Sequence, residues 1–229
     1  MAKQNVTPQE TSINEAVSKT ESFFENNKKL ILGVIALLLL AAGGWYCYNH
    51  YVVEPNKTDA QKAIFEAQYR FEEENPDYEL ILNGDANGAG LLEVIEQYGS
   101  TPAGNLAKHY AGVCYLHLGD LDNAAKYLAQ YSPVKNSIPA EVINAQNYGL
   151  QGDVAVEAGD LEKAVKFFDK AVNASDNSYT APLYLYKKGL ALKALGKSDE
   201  AVKVFNKILN DYPASPNAMD AQKLIGSEE

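Results

Sequence analysis

The sequence predicts an all-α protein in which a single N-terminal transmembrane helix precedes an α-solenoid of helical hairpins. Two observations carry this. Residues Leu30 to Tyr48 hold no charge and include nine Leu, Ile or Val. Later, three stretches place small residues on one spacing: Gly112, Gly119 and Ala124; Gly152, Gly159 and Ala164; Gly189, Gly196 and Ala201. The gaps within each set are seven and five residues, and the sets lie 40 and 37 residues apart. A period in that range marks stacked supersecondary units, each unable to bury its apolar face alone.

Residues 1–29 read as a cytoplasmic segment with a modest helix, because Ile13, Ala16, Val17, Thr20 and Phe24 share one face, with Phe23 beside them. Residues 30–48 follow as the membrane span, reaching about 28 Å at 1.5 Å per residue, close to one hydrocarbon core. Lys28 and Lys29 flank its near end, and Trp45, Tyr46, Tyr48 and Tyr51 form an aromatic belt at the far interface. No Lys or Arg follows the span until Lys57, so the lysine excess predicts a cytoplasmic amino terminus. A cleaved signal peptide is the competing reading, since Ala41, Ala42 and Gly43 are small, but the polar region before the span is long for one. Lipidation of Cys47 is disfavoured by Trp45 and Tyr46 just ahead of it.

Residues 49–57 are expected as a linker, and residues 58–104 as a degenerate first hairpin. Ala60, Ala63, Ile64, Ala67, Tyr69 and Phe71 lie on one broad face of its first arm, and Leu91, Leu92, Ile95 and Tyr98 mark its second. Residues 105–215 hold three regular units. In the first, Leu106, Ala107, Tyr110, Val113, Cys114 and Leu118 recur at helical intervals, and Leu121, Ala124, Ala125, Leu128 and Tyr131 form a second set. Gly119, Gly159 and Gly196 sit where a helix must stop and suit the left-handed conformation that ends one. Asp120, Asp160 and Ser198 are then expected to cap the next helix. Gly112, Gly152 and Gly189 are expected to face Ala124, Ala164 and Ala201 across a close helix crossing. Residues 216–229 form a capping helix and tail, with Ala218 and Leu224 turned inward and Asp220 and Lys223 outward.

The formal charge of −10 falls wholly on the part after the span, because four Lys and four Glu balance before it. Arg70 is the one arginine in the sequence, so nucleic acid is excluded as a partner. Cys47 and Cys114 lie too far apart in this reading to form a disulfide. No phosphate loop, HExxH or nucleophile elbow is present, and no catalytic residue, cofactor or metal is assigned. His109 and His117 stand eight residues apart, off one ligand face. From Asp85, the positions of Asn87, Gly90 and Glu96 match a calcium loop, but Ala89 supplies no ligand at the fifth position. A glycine-rich turn entering the helix near Leu91 accounts better for that stretch.

The three units resemble the tetratricopeptide repeat, whose consensus of about 34 residues carries small side chains at matching positions. Gly189, Leu192, Gly196, Ala201, Phe205 and Pro213 fit in the third unit; Tyr148, Gly152, Gly159, Ala164, Phe168 and Ala171 fit in the second. The first departs at Lys108 and Tyr131, where the family has an aromatic residue and alanine. The resemblance implies a concave face that binds proteins or peptides. It would be lined by Leu106, His109, Val113 and Leu116, then Gln146, Asp153 and Val156, then Leu183, Tyr186, Leu190 and Lys193. The basic cluster with which some family members clamp a peptide carboxylate is missing, and this groove is apolar with Tyr and His, suited to an apolar segment. The chain's own terminal helices are the competing occupants.

With the Phe23-Phe24-Glu25-Asn26-Asn27-Lys28-Lys29 flank and the span, the layout resembles bacterial inner-membrane tetratricopeptide proteins related to the ancillary subunit of the Sec translocon. That resemblance implies a single-pass protein whose repeat domain sits in the periplasm, receiving newly exported chains or holding partners of a membrane-embedded complex. An envelope scaffold unrelated to the translocon is the alternative in the same class, and an enzyme is the alternative from another.

Overall fold

The computed structural model describes residues 8–226, with side chains from residue 21 onward apart from that of Ile138. The first seven residues and the tail after Gly226 lie outside the described residues, as do the side chains of Ile13, Ala16, Val17 and Thr20. The chain divides into two units, meeting between Pro55 and Asn56.

The first unit is helical. Helix α1 runs from Pro8 to Tyr48, and a π-helical turn follows over Asn49–Val53. The linker expected at 49–57 is therefore corrected to helix, because Glu54 already opens α2 (Glu54–Phe71). Neither Gly nor Pro interrupts residues 45–54, and the π-helical turn lies just ahead of Pro55, whose missing N–H interrupts the regular ladder there. None of the apolar window of α1 is buried: Leu37, Leu39 and Leu40 are 69%, 68% and 74% exposed.

The second unit begins with a more elaborate element than a plain hairpin. Helix α2 presents Ala60, Ile64, Ala67 and Arg70 inward at helical spacing. Helix α3 (Tyr78–Asn83) is capped by Asp77, which accepts from the Leu80 N–H at 3.0 Å. Strands β1 (Gly84–Asp85) and β2 (Gly88–Ala89) pair antiparallel, and α4 (Leu91–Tyr98) follows. Ile81, Leu82, Leu91 and Val94 join Ala60 and Ile64 in one core with Ala107, Ala111 and Cys114 of α5 (Pro102–His117).

The remaining hairpins are α5 with α6 (Leu121–Gln130), α7 (Ile138–Glu157) with α8 (Leu161–Ala174), and α9 (Thr180–Ala194) with α10 (Ser198–Asp211). Helix α11 (Pro216–Gly226) packs Ala218 and Ala221 into the core of α9 and α10. Leu224 is half-buried there, while Asp220 and Lys223 pair at the surface.

Gly119, Gly159 and Gly196 take φ of 77°, 77° and 72°, the left-handed stops expected. Asp120 and Asp160 then accept from the N–H groups of Asn123 and Lys163, each at 3.0 Å. The third unit differs. Lys197 holds the capping position without a side-chain bond, and Ser198 is the first helical residue, so the expected cap at Ser198 is a correction. A second correction concerns the close crossings. A Cβ on Gly112 would lie 2.5 Å from Leu128, on Gly152 2.5 Å from Phe168, and on Gly189 2.3 Å from Phe205. Each glycine thus admits the large side chain one turn beyond the alanine. Those side chains are the buried centres of their hairpins.

Candidate binding groove

Helices α5, α7 and α9 bring their C-terminal halves to one face, because each regular hairpin repeats the same turn. On that face Leu116, Asp153 and Val156 line a cleft of about 560 Å³ together with Gly119, Leu121, Glu157 and Lys187. A second cleft of about 290 Å³ shares Asp153, Val156 and Lys187 and adds Leu190, Ala191 and Ala194 of α9. Four residues expected in the groove, Leu116, Asp153, Val156 and Leu190, are therefore assembled there. Val156 and Leu190 are each 39% exposed.

Lys187 was not anticipated. Its Nζ donates to both oxygens of Asp153, at 2.8 and 2.7 Å, linking α9 to α7. The signal was a lysine 34 residues after an aspartate, about one repeat away, on helices already known to be neighbours. The pair is unevenly balanced. Burial pushes the Asp153 carboxyl above its ordinary range, the lysine opposes this, and the Glu157 charge adds to the upward shift.

The other expected groove residues lie elsewhere. His109 is a correction: it is 5% exposed, closed between α5 and α7. Asn147 Nδ2 stands 3.3 Å from His109 Nδ1, and Gln151 donates to Asn147 Oδ1 at 2.8 Å, which orients that amide toward the ring. This suits a neutral imidazole with its proton on Nε2, and burial lowers its pKa to about 4. Leu106 and Leu183 pack half-buried against their cores, and Tyr186 leans on Phe205 with ring centroids 6.0 Å apart. Val113, Gln146 and Lys193 are half-buried and line neither cleft.

The residues expected at the membrane interfaces all lie at the surface of the first unit. Trp45, Tyr46, Tyr48 and Tyr51 are 60–72% exposed, and Lys28 and Lys29 are exposed as well.

The arginine at position 70 explains the glycine-rich loop. Its guanidinium meets Asp85 at 2.8 Å and Glu66 at 3.4 Å, and Asp85 also accepts from the Asn87 N–H at 2.8 Å. The Arg70 hydrogen bond holds the Asp85 carboxyl below its usual range. The aspartate that would open a calcium loop is already satisfied by the protein. Among the described residues no cluster of three potential metal ligands occurs. Cys114 is buried, and burial raises its thiol to about 12, so it offers no thiolate. The groove combines apolar side chains with the carboxylates of Asp153 and Glu157.

Comparison with known proteins agrees with this architecture. Models of the tetratricopeptide repeat match residues 107–132, 145–178 and 184–215. These three segments are tetratricopeptide repeats, and they coincide with the three hairpins. The chain is similar to tetratricopeptide repeat protein 21B of Xenopus laevis, 37% identical over 67 residues, which is 29% of this chain and 5% of that protein. Among solved structures, a crystal structure of MamA protein matches at 16% identity with a TM-score of 0.51, over 75% of this chain and 80% of that one. A further MamA crystal structure matches at 18% identity and a TM-score of 0.45, over 60% and 75% of the two chains. These likenesses concern the fold.

Proposed function

From three tetratricopeptide repeats and one unpacked apolar helix, we propose a membrane-tethered protein-interaction scaffold. Residues 30–48 cross the bacterial inner membrane once, and the repeat domain in the periplasm binds protein partners or newly exported chains beside the Sec translocon or envelope-assembly machinery.

The observation that carries this reading is a groove across three repeats whose apolar lining stays exposed among the described residues. Helix α11 packs on α9 and α10 at the end of the stack, and Val156 and Leu190 keep their exposure. An apolar face of that kind, rimmed by charge, marks an interaction surface. The tether is supported by α1, whose apolar window is long enough to span a membrane and has no packing partner among the described residues. Aromatic residues at one end and lysines at the other fit the two interfaces of a bilayer.

Photo-crosslinkers placed at Val156 and Leu190 in cells test the assignment. Recovery of translocon subunits together with exported chains supports it. A single stoichiometric envelope complex without them replaces it by the general scaffold, and crosslinks to lipid alone contradict binding at this face.

A further inference from the structure

The groove does not treat charges evenly, and that asymmetry narrows its occupant. Leu116, Val156 and Leu190 provide an apolar track across three helices. The positive charge within it, on Lys187, is spent on both oxygens of Asp153. Glu157 lines the same cleft, is exposed, and meets no cation among the described residues. Burial, with the Glu157 charge adding to it, keeps the Asp153 carboxyl above its ordinary range even with a lysine bound at two points, so Lys187 has no charge to spare for Glu157.

We infer that the groove selects a protein segment in which apolar side chains lie beside a lysine or arginine, the cation docking against Glu157 next to the Asp153–Lys187 pair. This deepens the scaffold reading and rests on it. The occupant is a polypeptide: anionic lipid headgroups and acidic segments would meet like charge at Glu157. An apolar segment without a cation would leave the Glu157 carboxylate facing a dry contact with nothing to compensate it.

The full chain, held in nanodiscs of zwitterionic lipid, is titrated against a fluorescent leucine-bearing peptide flanked by two lysines, and against the same peptide flanked by two glutamates, with empty nanodiscs as the blank. The lysine peptide is expected to bind about tenfold more tightly, and Glu157→Gln is expected to reduce that preference about threefold, in keeping with a partly exposed charge pair. Raising the salt should shrink the preference, while Val156→Asp should weaken both peptides. Equal binding of the two peptides, or a preference untouched by Glu157→Gln, overturns the charge selection while leaving the scaffold reading in place. No binding of either peptide above the blank overturns both.

Discussion

The two units place apolar side chains in opposite surroundings. In the repeat unit Leu91, Leu128 and Phe168 are at most 1% exposed, each closed in by a neighbouring helix. In α1 the leucines from Leu37 to Leu40 are 64–74% exposed, around the full circumference of the helix. The repeat helices alternate apolar and polar faces because water lies on one side of them. The α1 run has no polar face at all, which is the pattern of a helix whose solvent is itself apolar. Cohesion in one unit comes from burial against protein; in the other no burial among the described residues supplies it, and the proposed tether assigns that part to a bilayer.

That contrast can be broken most forcefully at the hairpin centres. Phe168→Ala opens a cavity against Gly152 and is expected to cost about 3–5 kcal/mol, read as a lower urea midpoint for the repeat unit. Leu39→Ala should leave that midpoint where it is. Conversely, Leu37→Lys puts a charge at the middle of the proposed span for about 2.5–3.5 kcal/mol and is expected to release protein from membranes on alkaline extraction, with the repeat transition unchanged.

Acid probes the junction of the first and second repeats. His109 titrates at about 4 when folded against 6.5 when free, so the unfolded chain takes up the proton first. No cost arises above pH 6.5; stability falls as the pH drops from there toward 4, by about 3 kcal/mol in all. The difference in urea stability between the parent chain and His109→Gln should therefore change over that range and be flat above it.

The smallest effects sharpen the comparison within the repeats. Asp160→Ala should cost about 1 kcal/mol at the cap of α8, whereas Lys197→Asp should add about 0.5–1 kcal/mol to α10 by giving it the cap the other two possess. Thermal denaturation of the two variants should shift in opposite directions.

Much of this was legible beforehand for a physical reason. A left-handed stop at Gly119, Gly159 or Gly196 admits few residues other than glycine, so those positions announce themselves. The same holds for a run as long and uncharged as Leu30–Tyr48. Legibility ended where the partner depended on how two helices cross. Gly112 clearly needed a close neighbour, yet that neighbour is Leu128 and not Ala124, a difference of one turn that spacing alone does not settle. Ser198 was misread as a cap because serine suits the role, although the register set by Gly196 assigns it to Lys197. His109 shares its helical stripe with Leu116, but Asn147 of the next repeat seals it from the groove. Arg70 with Asp85, and Lys187 with Asp153, join different elements, so neither pair shows as a local motif.

The central claim, a span that sets the repeats across a membrane from the amino-terminal segment, is tested most directly by thiol labelling. In a Cys47→Ala background Cys114 is buried and protected. Lys203→Cys should then react with a membrane-impermeant maleimide in intact spheroplasts, and Glu21→Cys only after lysis. Reaction of Glu21→Cys in intact spheroplasts with Lys203→Cys protected, or recovery of the unlabelled chain in the soluble fraction, would contradict the account.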